Sequence, residues 1–148
     1  MFSRIVVGTD GSETAAEAVR QATELAKLSG ARLDIVSAFE PVPQQRVKSE
    51  AREAPGDVQY EISPREDVNL ILDAATGEAK KAGIEEVQAH AREGEPADAI
   101  LDVAEEINAD LIVVGNKGMT GARRFLLGSV PNKVSHHAPS SVIIVRTT

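Results

Sequence analysis

Apolar residues follow two repeating patterns that alternate along the chain. Short apolar runs end next to glycine or polar residues, as Ile5–Val7 does before Gly8. Between these runs, apolar residues recur every three or four positions, which is typical of one buried helix face. The runs predict strands at 5–7, 33–39, 87–91, 111–114 and 142–145, and the helical patterns predict helices within 15–28, 68–79, 97–107 and 130–136. This alternation predicts an α/β domain, a three-layer open sheet of five parallel strands with right-handed crossovers and helices on both faces.

One segment interrupts the alternation. Residues 40–63 contain three prolines and one glycine among charges of both signs, and they far exceed the usual connection of about 2 to 6 residues. We expect a flexible loop or a lid here, inside a single domain spanning residues 1–148. Its basic residues Arg46, Lys48 and Arg52 could reach a bound anion or could simply be solvated, so no site residue is assigned there.

The glycine-rich stretch after the fourth apolar run is the most informative part of the sequence. It contains three basic residues and no acidic one, and it follows the pattern G-x2-G-x9-G-[S/T] with Gly115, Gly118, Gly128 and Ser129. Glycine lets backbone N–H groups approach a ligand closely. Pro131 then fits the first turn of a helix, whose N–H groups and dipole attract anions. The stretch therefore predicts an anion site, and the alternative is an ordinary loop with Ser129 as a helix N-cap.

The end of the first strand supplies the second half of this predicted site. Ligands of open parallel sheets bind past the carboxyl ends of the strands, where the strand order reverses. If the first and fourth strands are neighbours, the loop that starts at Thr9 faces the glycine-rich stretch. Asp10 could then hold a ribose hydroxyl or a phosphate-bound metal ion, or it could form a capping box with Glu13. Ser37 and Ala38 would lie against a base, or they simply end a buried strand.

The net charge of −7 is unevenly distributed. Residues 115–148 contain five Lys and Arg but no Asp or Glu, so all 23 acidic residues lie in the rest of the chain. An acidic body argues against nonspecific nucleic-acid binding, which depends on basic surface. Aromatic residues make up only 3% of the chain and offer no stacking platform for single strands. We therefore expect a small anion as the ligand and no nucleic-acid partner.

The sequence offers little support for catalysis or for a membrane role. His136 and His137 stand at the end of the last predicted helix, His90 ends a strand without an evident partner, and neither Ser12 nor Ser129 has a His and Asp arrangement around it. No catalytic residue is predicted. The first residues match neither a signal peptide nor a membrane span, and Cys is absent. A cytoplasmic protein without a membrane partner is the default expectation.

Two motifs together point to a family. VVGTDGS near the N-terminus, paired with GNKGMTGARRFLLGSV after the fourth strand, resembles the nucleotide-binding branch of the universal stress protein family. The resemblance covers essentially the whole chain. It implies the strand order 3-2-1-4-5 of the adenine nucleotide alpha hydrolase-like fold, a homodimer through the C-terminal strand, and ATP or cyclic AMP as the ligand, with Mg as a companion of the phosphates. The Ser-Val-Pro sequence at residues 129–131 is similar to actinobacterial members that bind cyclic nucleotides.

The resemblance also implies individual roles. Asp10 would contact the ribose and the metal-bound phosphate, which makes it the candidate Mg ligand, and Ala38 would lie beside the adenine. The implied nucleotide-binding residues are Thr9, Asp10, Ala38, Gly115, Gly118, Gly128, Ser129 and Val130. Two departures bear on the ligand, because Ala38 is smaller than the branched residue usual in the family and Pro131-Asn132 replaces a small polar and acidic pair.

Three functions remain open at this point. The leading hypothesis is a nucleotide-binding protein that senses ATP or cyclic AMP in stress response or signalling. The second is a slow Mg-dependent ATPase, and the third is a nucleotide-free dimeric interaction module. Dimerisation has separate support, since Val142–Val145 is a continuously apolar strand that would leave an unpaired sheet edge without a partner.

Overall fold

A computed structural model describes residues 1–40, 64–116 and 128–147 of the chain. The predicted loop or lid at 40–63 lies outside the described residues except for Glu40, and so do Gly118 and the basic residues of the glycine-rich stretch. In chain order the elements are β1 (Arg4–Gly8), α1 (Glu13–Ser29), β2 (Arg32–Phe39), α2 (Pro64–Lys81), β3 (Val87–Glu93), α3 (Pro96–Glu106), β4 (Leu111–Gly115), α4 (Ser129–His137) and β5 (Ser141–Val145). Every predicted strand and helix is present, and no end differs from its predicted position by more than four residues.

The five strands form one parallel sheet in the order β3-β2-β1-β4-β5. β1 lies in the middle, and its Ile5 is in register with Leu33 of β2 on one side and with Leu111 of β4 on the other. β5 pairs with β4 and ends the sheet. The predicted fold class, strand order and β1–β4 contact are therefore confirmed.

Alternation along the strands sends successive side chains to opposite sides of the sheet. The side covered by α1 and α2, the α1/α2 face, contains the larger apolar cluster, whose fully buried strand residues are Ile5, Val7, Leu33, Ile35, Leu111 and Val113. Small residues of α1, such as Ala18 and Ala22, are also fully buried there, so this helix lies close against the strands.

The opposite side, the α3/α4 face, is covered by α3 and α4. Its core contains Val6, Val36, Ile112, Ile100, Val103 and Val134. The sequence explains why both sides of the sheet are apolar. Val6, Val36 and Ile112 occupy the alternate positions of the same apolar runs that supply the α1/α2 face. The sheet is thus buried on both sides, as a doubly wound fold requires. None of the helices in the described part of the chain combines the length and apolar character that a bilayer crossing needs.

Candidate binding site

A cleft lies at the carboxyl ends of β1 and β4, on the α3/α4 face. After β1 the chain continues to β2 on one side, whereas β4 pairs on the other side, so the strand order reverses at this point. Open α/β sheets bind ligands at such switch points. The cleft encloses about 130 Å³. Its walls are formed by Gly8, Thr9, Asp10, Ala15, Val36, Ala38, Pro96, Ile100, Val114, Gly115, Val130 and Pro131.

Five of the predicted site residues meet in this cleft. They come from four separate segments of the chain and are Thr9, Asp10, Ala38, Gly115 and Val130. Gly128 and Ser129 lie immediately before Val130, at the start of α4, and Gly118 lies outside the described residues. Ser37, which was expected beside Ala38, does not join them because strand alternation turns its side chain toward the other face. The structure brings the predicted residues together, and their role in binding stays a prediction.

The loop after β1 is held by its own hydrogen bonds. The Thr9 N–H donates to the Val36 carbonyl at 2.9 Å, and the Asp10 carboxylate accepts from the Ser12 N–H at 2.9 Å. Gly11 has φ +83°, and a Cβ on it would lie 2.8 Å from the Ile71 side chain. Residues other than glycine rarely adopt this backbone conformation, so the turn requires Gly11. The backbone thereby fixes Asp10 at the mouth of the cleft.

The capping-box alternative for Asp10 is wrong. The N-cap of α1 is Ser12, whose hydroxyl accepts from the Ala15 N–H at 3.1 Å, and Glu13 is the first helical residue. Asp10 instead closes a short side-chain turn on the Ser12 N–H. The carboxylate therefore lies outside the helix, two residues before its cap.

The start of α4 forms another wall of the cleft. Gly128 occupies the N-cap position without a side-chain cap, and Ser129 is an exposed first helical residue, so the alternative of Ser129 as N-cap is wrong. The first helical N–H groups have no partner within the helix, and Pro131 in the first turn has no N–H. The Gly128 N–H donates to the Asn116 carbonyl at 3.0 Å. The two described ends of the glycine-rich stretch are therefore joined directly.

A cluster of ion pairs fixes α4 against α3 beside the cleft. The Lys133 Nζ lies 2.8 Å from a carboxylate oxygen of Glu95 and 2.9 Å from one of Asp98. Hydrogen bonds to Glu95 and Asp98 raise the pKa of Lys133 well above its usual range. The bond to Lys133 in turn lowers the pKa of Asp98. These exposed pairs join the two helices that carry the cleft residues Ile100 and Val130.

Sequence analysis missed the apolar lining of the cleft, and Gly8 in particular. A Cβ on Gly8 would lie 2.4 Å from Cδ1 and 3.0 Å from Cγ1 of Ile100. Only the absence of a side chain at Gly8 lets α3 approach the end of β1 this closely. The sequence signal was the glycine at the end of the first apolar run. Its contact with Ile100 could not be predicted, because the two residues are 92 positions apart in the chain.

The expectation that His90 has no partner is wrong. His90 lies inside β3, and its Nε2 is 2.7 Å from Oδ2 of Asp34, a fully buried residue of β2. Arg32 donates to both oxygens of the same carboxylate, at 2.7 and 2.9 Å. We call these three residues the Asp34 cluster. It lies on the α3/α4 face near the β3 edge and contributes no residue to the walls of the cleft.

In the part of the chain that the structure describes, the remaining histidines and acidic groups form no evident reaction centre. His136 and His137 lie in the last turn of α4, as expected, and the His136 ring nitrogen Nδ1 is 2.9 Å from the Asn132 carbonyl oxygen. Within residues 1–40, 64–116 and 128–147, no three His, Asp or Glu side chains come together as metal ligands.

Fold and site together define an open parallel α/β protein with a cleft at its strand-order reversal. The sequence model of the universal stress protein family matches residues 1–146. The chain belongs to this family.

Individual relatives cover nearly the whole chain. A universal stress protein of Mycobacterium tuberculosis is 38% identical over 147 residues, which represent 99% of this chain and 98% of that protein. The crystal structure of a universal stress protein in complex with cAMP has a TM-score of 0.73 and 35% sequence identity, and the match covers 99% of this chain and 98% of that one. A universal stress protein from Archaeoglobus fulgidus in complex with dAMP has a TM-score of 0.64 and 29% identity, with 97% coverage of each chain.

Proposed function

We propose that this protein binds an adenine nucleotide, ATP or cyclic AMP, in the cleft between β1 and β4 and acts as a regulator in stress response or signalling. The observation that carries the proposal is the convergence of Asp10, Ala38, Gly115 and Val130 at the strand-order reversal. The relatives crystallised with cAMP and with dAMP support an adenine nucleotide as the ligand class.

The apolar walls of the cleft suit a flat base. Val36, Ala38 and Ile100 present aliphatic surface, and Ala38 leaves more room beside the base than a branched residue would. The enclosed volume of about 130 Å³ is below the roughly 300 to 1,000 Å³ of a complete drug-sized pocket. The cleft would therefore hold the base and ribose, and the phosphates would extend past the strand ends.

The polar end of the cleft suits ribose and phosphate. Asp10 would accept a hydrogen bond from a ribose hydroxyl, as carboxylates do at comparable switch points. Gly115 and the start of α4 would face the phosphates with backbone N–H groups and the positive end of the helix dipole. Mg²⁺ commonly uses one or two carboxylates together with ligand phosphates, so Asp10 fits a metal that arrives with ATP. Gly118, Gly128 and Ser129 remain proposed phosphate contacts.

Thermal unfolding with added nucleotides tests the proposal. A ligand that binds the folded chain stabilises it by RT ln(1 + [L]/Kd), so ATP with Mg²⁺ or cyclic AMP should raise the melting temperature while GTP and FMN should not. Ala38→Phe should abolish the shift by filling the base side of the cleft, whereas Ala38→Val should keep it. If no adenine nucleotide shifts the wild-type protein, the proposal fails. Mass spectrometry of the nucleotide that co-purifies would identify the ligand.

We propose a regulatory rather than an enzymatic role. General base catalysis requires a group within reach of the attacking water. Asp10 is the only titratable side chain among the described walls of the cleft, and we assign its carboxylate to the ribose or to a phosphate-bound metal. A slow Mg-dependent ATPase is the competing function. Phosphate release that depends on Mg²⁺ and is lost in Asp10→Ala would favour the ATPase, and a rate unchanged by this substitution would remove the assignment of Asp10 as its metal ligand.

We also propose a homodimer through β5, in the cytoplasm where adenine nucleotides are available. β5 ends the sheet, and its residues Val142, Ile143 and Ile144 are only partly buried. A symmetric dimer would cover this edge and satisfy its backbone groups. Light scattering at micromolar concentration should give the mass of two chains, and a monomer mass would contradict the dimer without affecting the nucleotide proposal.

A further inference from the structure

Asn116 connects three parts of the molecule through four hydrogen bonds. It follows the last residue of β4, and its N–H donates to the Val145 carbonyl at 2.8 Å, while its own carbonyl accepts from the Gly128 N–H at 3.0 Å. Its side-chain Oδ1 accepts from the Thr147 N–H at 2.9 Å and from the Thr147 hydroxyl at 2.8 Å. One partly buried residue thus joins β4, the start of α4 and the chain after β5.

The position of these bonds relates them to the cleft. Gly115, the neighbour of Asn116, lines the cleft, and so does Val130, two residues after Gly128. The bond between Asn116 and Gly128 therefore sets the separation between two walls of the cleft. On its other side Asn116 contacts the end of β5, the strand that terminates the sheet. A shift of Thr147 would therefore act on Asn116, the residue that sets the separation between these walls.

We propose that Asn116 is a positioning residue, which couples nucleotide occupancy of the cleft to the carboxyl-terminal residues after β5. The inference rests on the proposed nucleotide function. A ligand seated between Gly115 and the start of α4 holds these two elements in place, which strengthens the bonds that Asn116 makes. Because coupling free energies are reciprocal, ordering of Thr147 in turn favours ligand binding. Through Asn116, nucleotide binding in the cleft would thus affect the β5 edge of the sheet, with which another chain could pair.

Affinity measurements on four variants test this role. Asn116→Ala removes both bonds to Thr147 and should weaken binding of ATP or cyclic AMP by about tenfold, whereas Thr147→Val removes only the hydroxyl bond and should weaken it by about threefold. Thr147→Ser keeps the hydroxyl and should bind like the wild type. Combining Asn116→Ala with Thr147→Val should be no worse than Asn116→Ala alone, since both changes remove the same interaction. Calorimetric titration gives each Kd.

Amide hydrogen exchange separates coupling from a merely structural role. Nucleotide should slow exchange of the Thr147 amide in the wild-type protein and in Thr147→Ser, but not in Asn116→Ala. Variants that only melt at lower temperature, with unchanged Kd and unchanged ligand protection of Thr147, would overturn the role of Asn116 and leave the nucleotide proposal intact. A wild-type protein that binds neither nucleotide would overturn both proposals.

Discussion

The two faces of the sheet are built from the same five strands but serve different purposes. On the α1/α2 face, large side chains such as Leu33, Ile35 and Leu111 are fully buried against α1 and α2. On the α3/α4 face, the positions nearest the cleft are small, with Gly8 and Ala38 at the strand ends. This difference leaves room for the cleft at the strand ends of the α3/α4 face.

Buried charge is distributed unequally between the faces. Among the described residues Asp34 is the one buried charged residue, whereas the buried polar residues of the α1/α2 face, Thr23 and Ser37, are uncharged. The α3/α4 face contains the buried carboxylate of Asp34 and the exposed ion pairs of Lys133. Burial of apolar surface, at about 25 cal/mol per Å², therefore contributes most of the stability on the α1/α2 face. The α3/α4 face combines a smaller apolar core with directional bonds that keep its helices in register around the cleft. The comparison therefore predicts that substitutions can change the stability of the protein and its proposed nucleotide binding separately.

The largest expected effect comes from creating a cavity in the core of the α1/α2 face. Ile35→Ala should lower the free energy of unfolding by about 4 kcal/mol, because a fully buried side chain is lost from a close-packed core. The matched substitution on the other face, Ile100→Ala, should cost about 2 kcal/mol, since the cleft already leaves one side of Ile100 without packing neighbours. Urea unfolding measures both values. A larger loss for Ile100→Ala would contradict the division between the faces.

The second effect tests the polar part of the α3/α4 face. Burial raises the pKa of Asp34, but the hydrogen bonds from His90 and Arg32 outweigh burial and hold the pKa below its usual value. A lowered carboxyl pKa contributes stability that is present above the unfolded value of about 3.9 and is lost as the pH falls through the lower folded value. Asp34→Asn should therefore cost about 2 kcal/mol at pH 7, and the difference from wild type should shrink in acid.

Unfolding measured as a function of pH provides the check, with Asp102→Asn as the control. Asp102 is exposed on α3, so this variant should differ from wild type by less than about 0.5 kcal/mol at every pH. A deficit of Asp34→Asn that stays constant down to the pH at which the wild type unfolds would mean that the Asp34 charge contributes nothing.

The Asp34 cluster also shows why sequence analysis predicted the fold better than the polar contacts. Apolar runs and helical spacing are local signals, and they were sufficient for the five strands and the four helices. The strand order was implied by the resemblance to the universal stress protein family. Asp34 and His90 are 56 residues apart and meet only because β2 and β3 pair in one register. An Asp inside a buried strand was visible in the sequence, but the identity of its partner was not.

The candidate site was predicted only in part, because some of its residues are marked by local sequence signals and others depend on contacts between distant parts of the chain. Thr9, Asp10 and Gly115 stand at strand ends, which the alternating pattern locates. The aliphatic wall formed by Ile100 depends on how α3 crosses the sheet, and the contacts of Asn116 depend on where the chain passes after β5. The two capping alternatives, Asp10 with Glu13 and Ser129, were wrong because several residues near each helix start could serve as the cap. Only backbone geometry selects Ser12 and Gly128.

A third effect compares glycine substitutions on the two faces. Gly8→Ala would force Ile100 to move toward the cleft, and it should weaken nucleotide binding by about tenfold, or about 1.4 kcal/mol. Gly77 lies in α2, and a Cβ added to it would meet open space, so Gly77→Ala should stabilise the protein by about 0.5 to 1 kcal/mol and leave binding unchanged. Titration and urea unfolding measure the two effects. Equal affinities of the two variants would refute the role of Gly8.

The smallest expected effect concerns the ion pairs between α3 and α4. Lys133→Met should lower the melting temperature only slightly, because exposed ion pairs contribute little in water. At a salt concentration of about 1 M the screening length falls to about 3 Å, so the difference from wild type should disappear. Lys80→Met, at an exposed position of α2, is the control and should show no salt-dependent loss. If the Lys133→Met deficit persists in high salt, packing of the Lys133 stem rather than its charge holds α4 against α3, and the α3/α4 face resembles its counterpart more closely than the structure indicates.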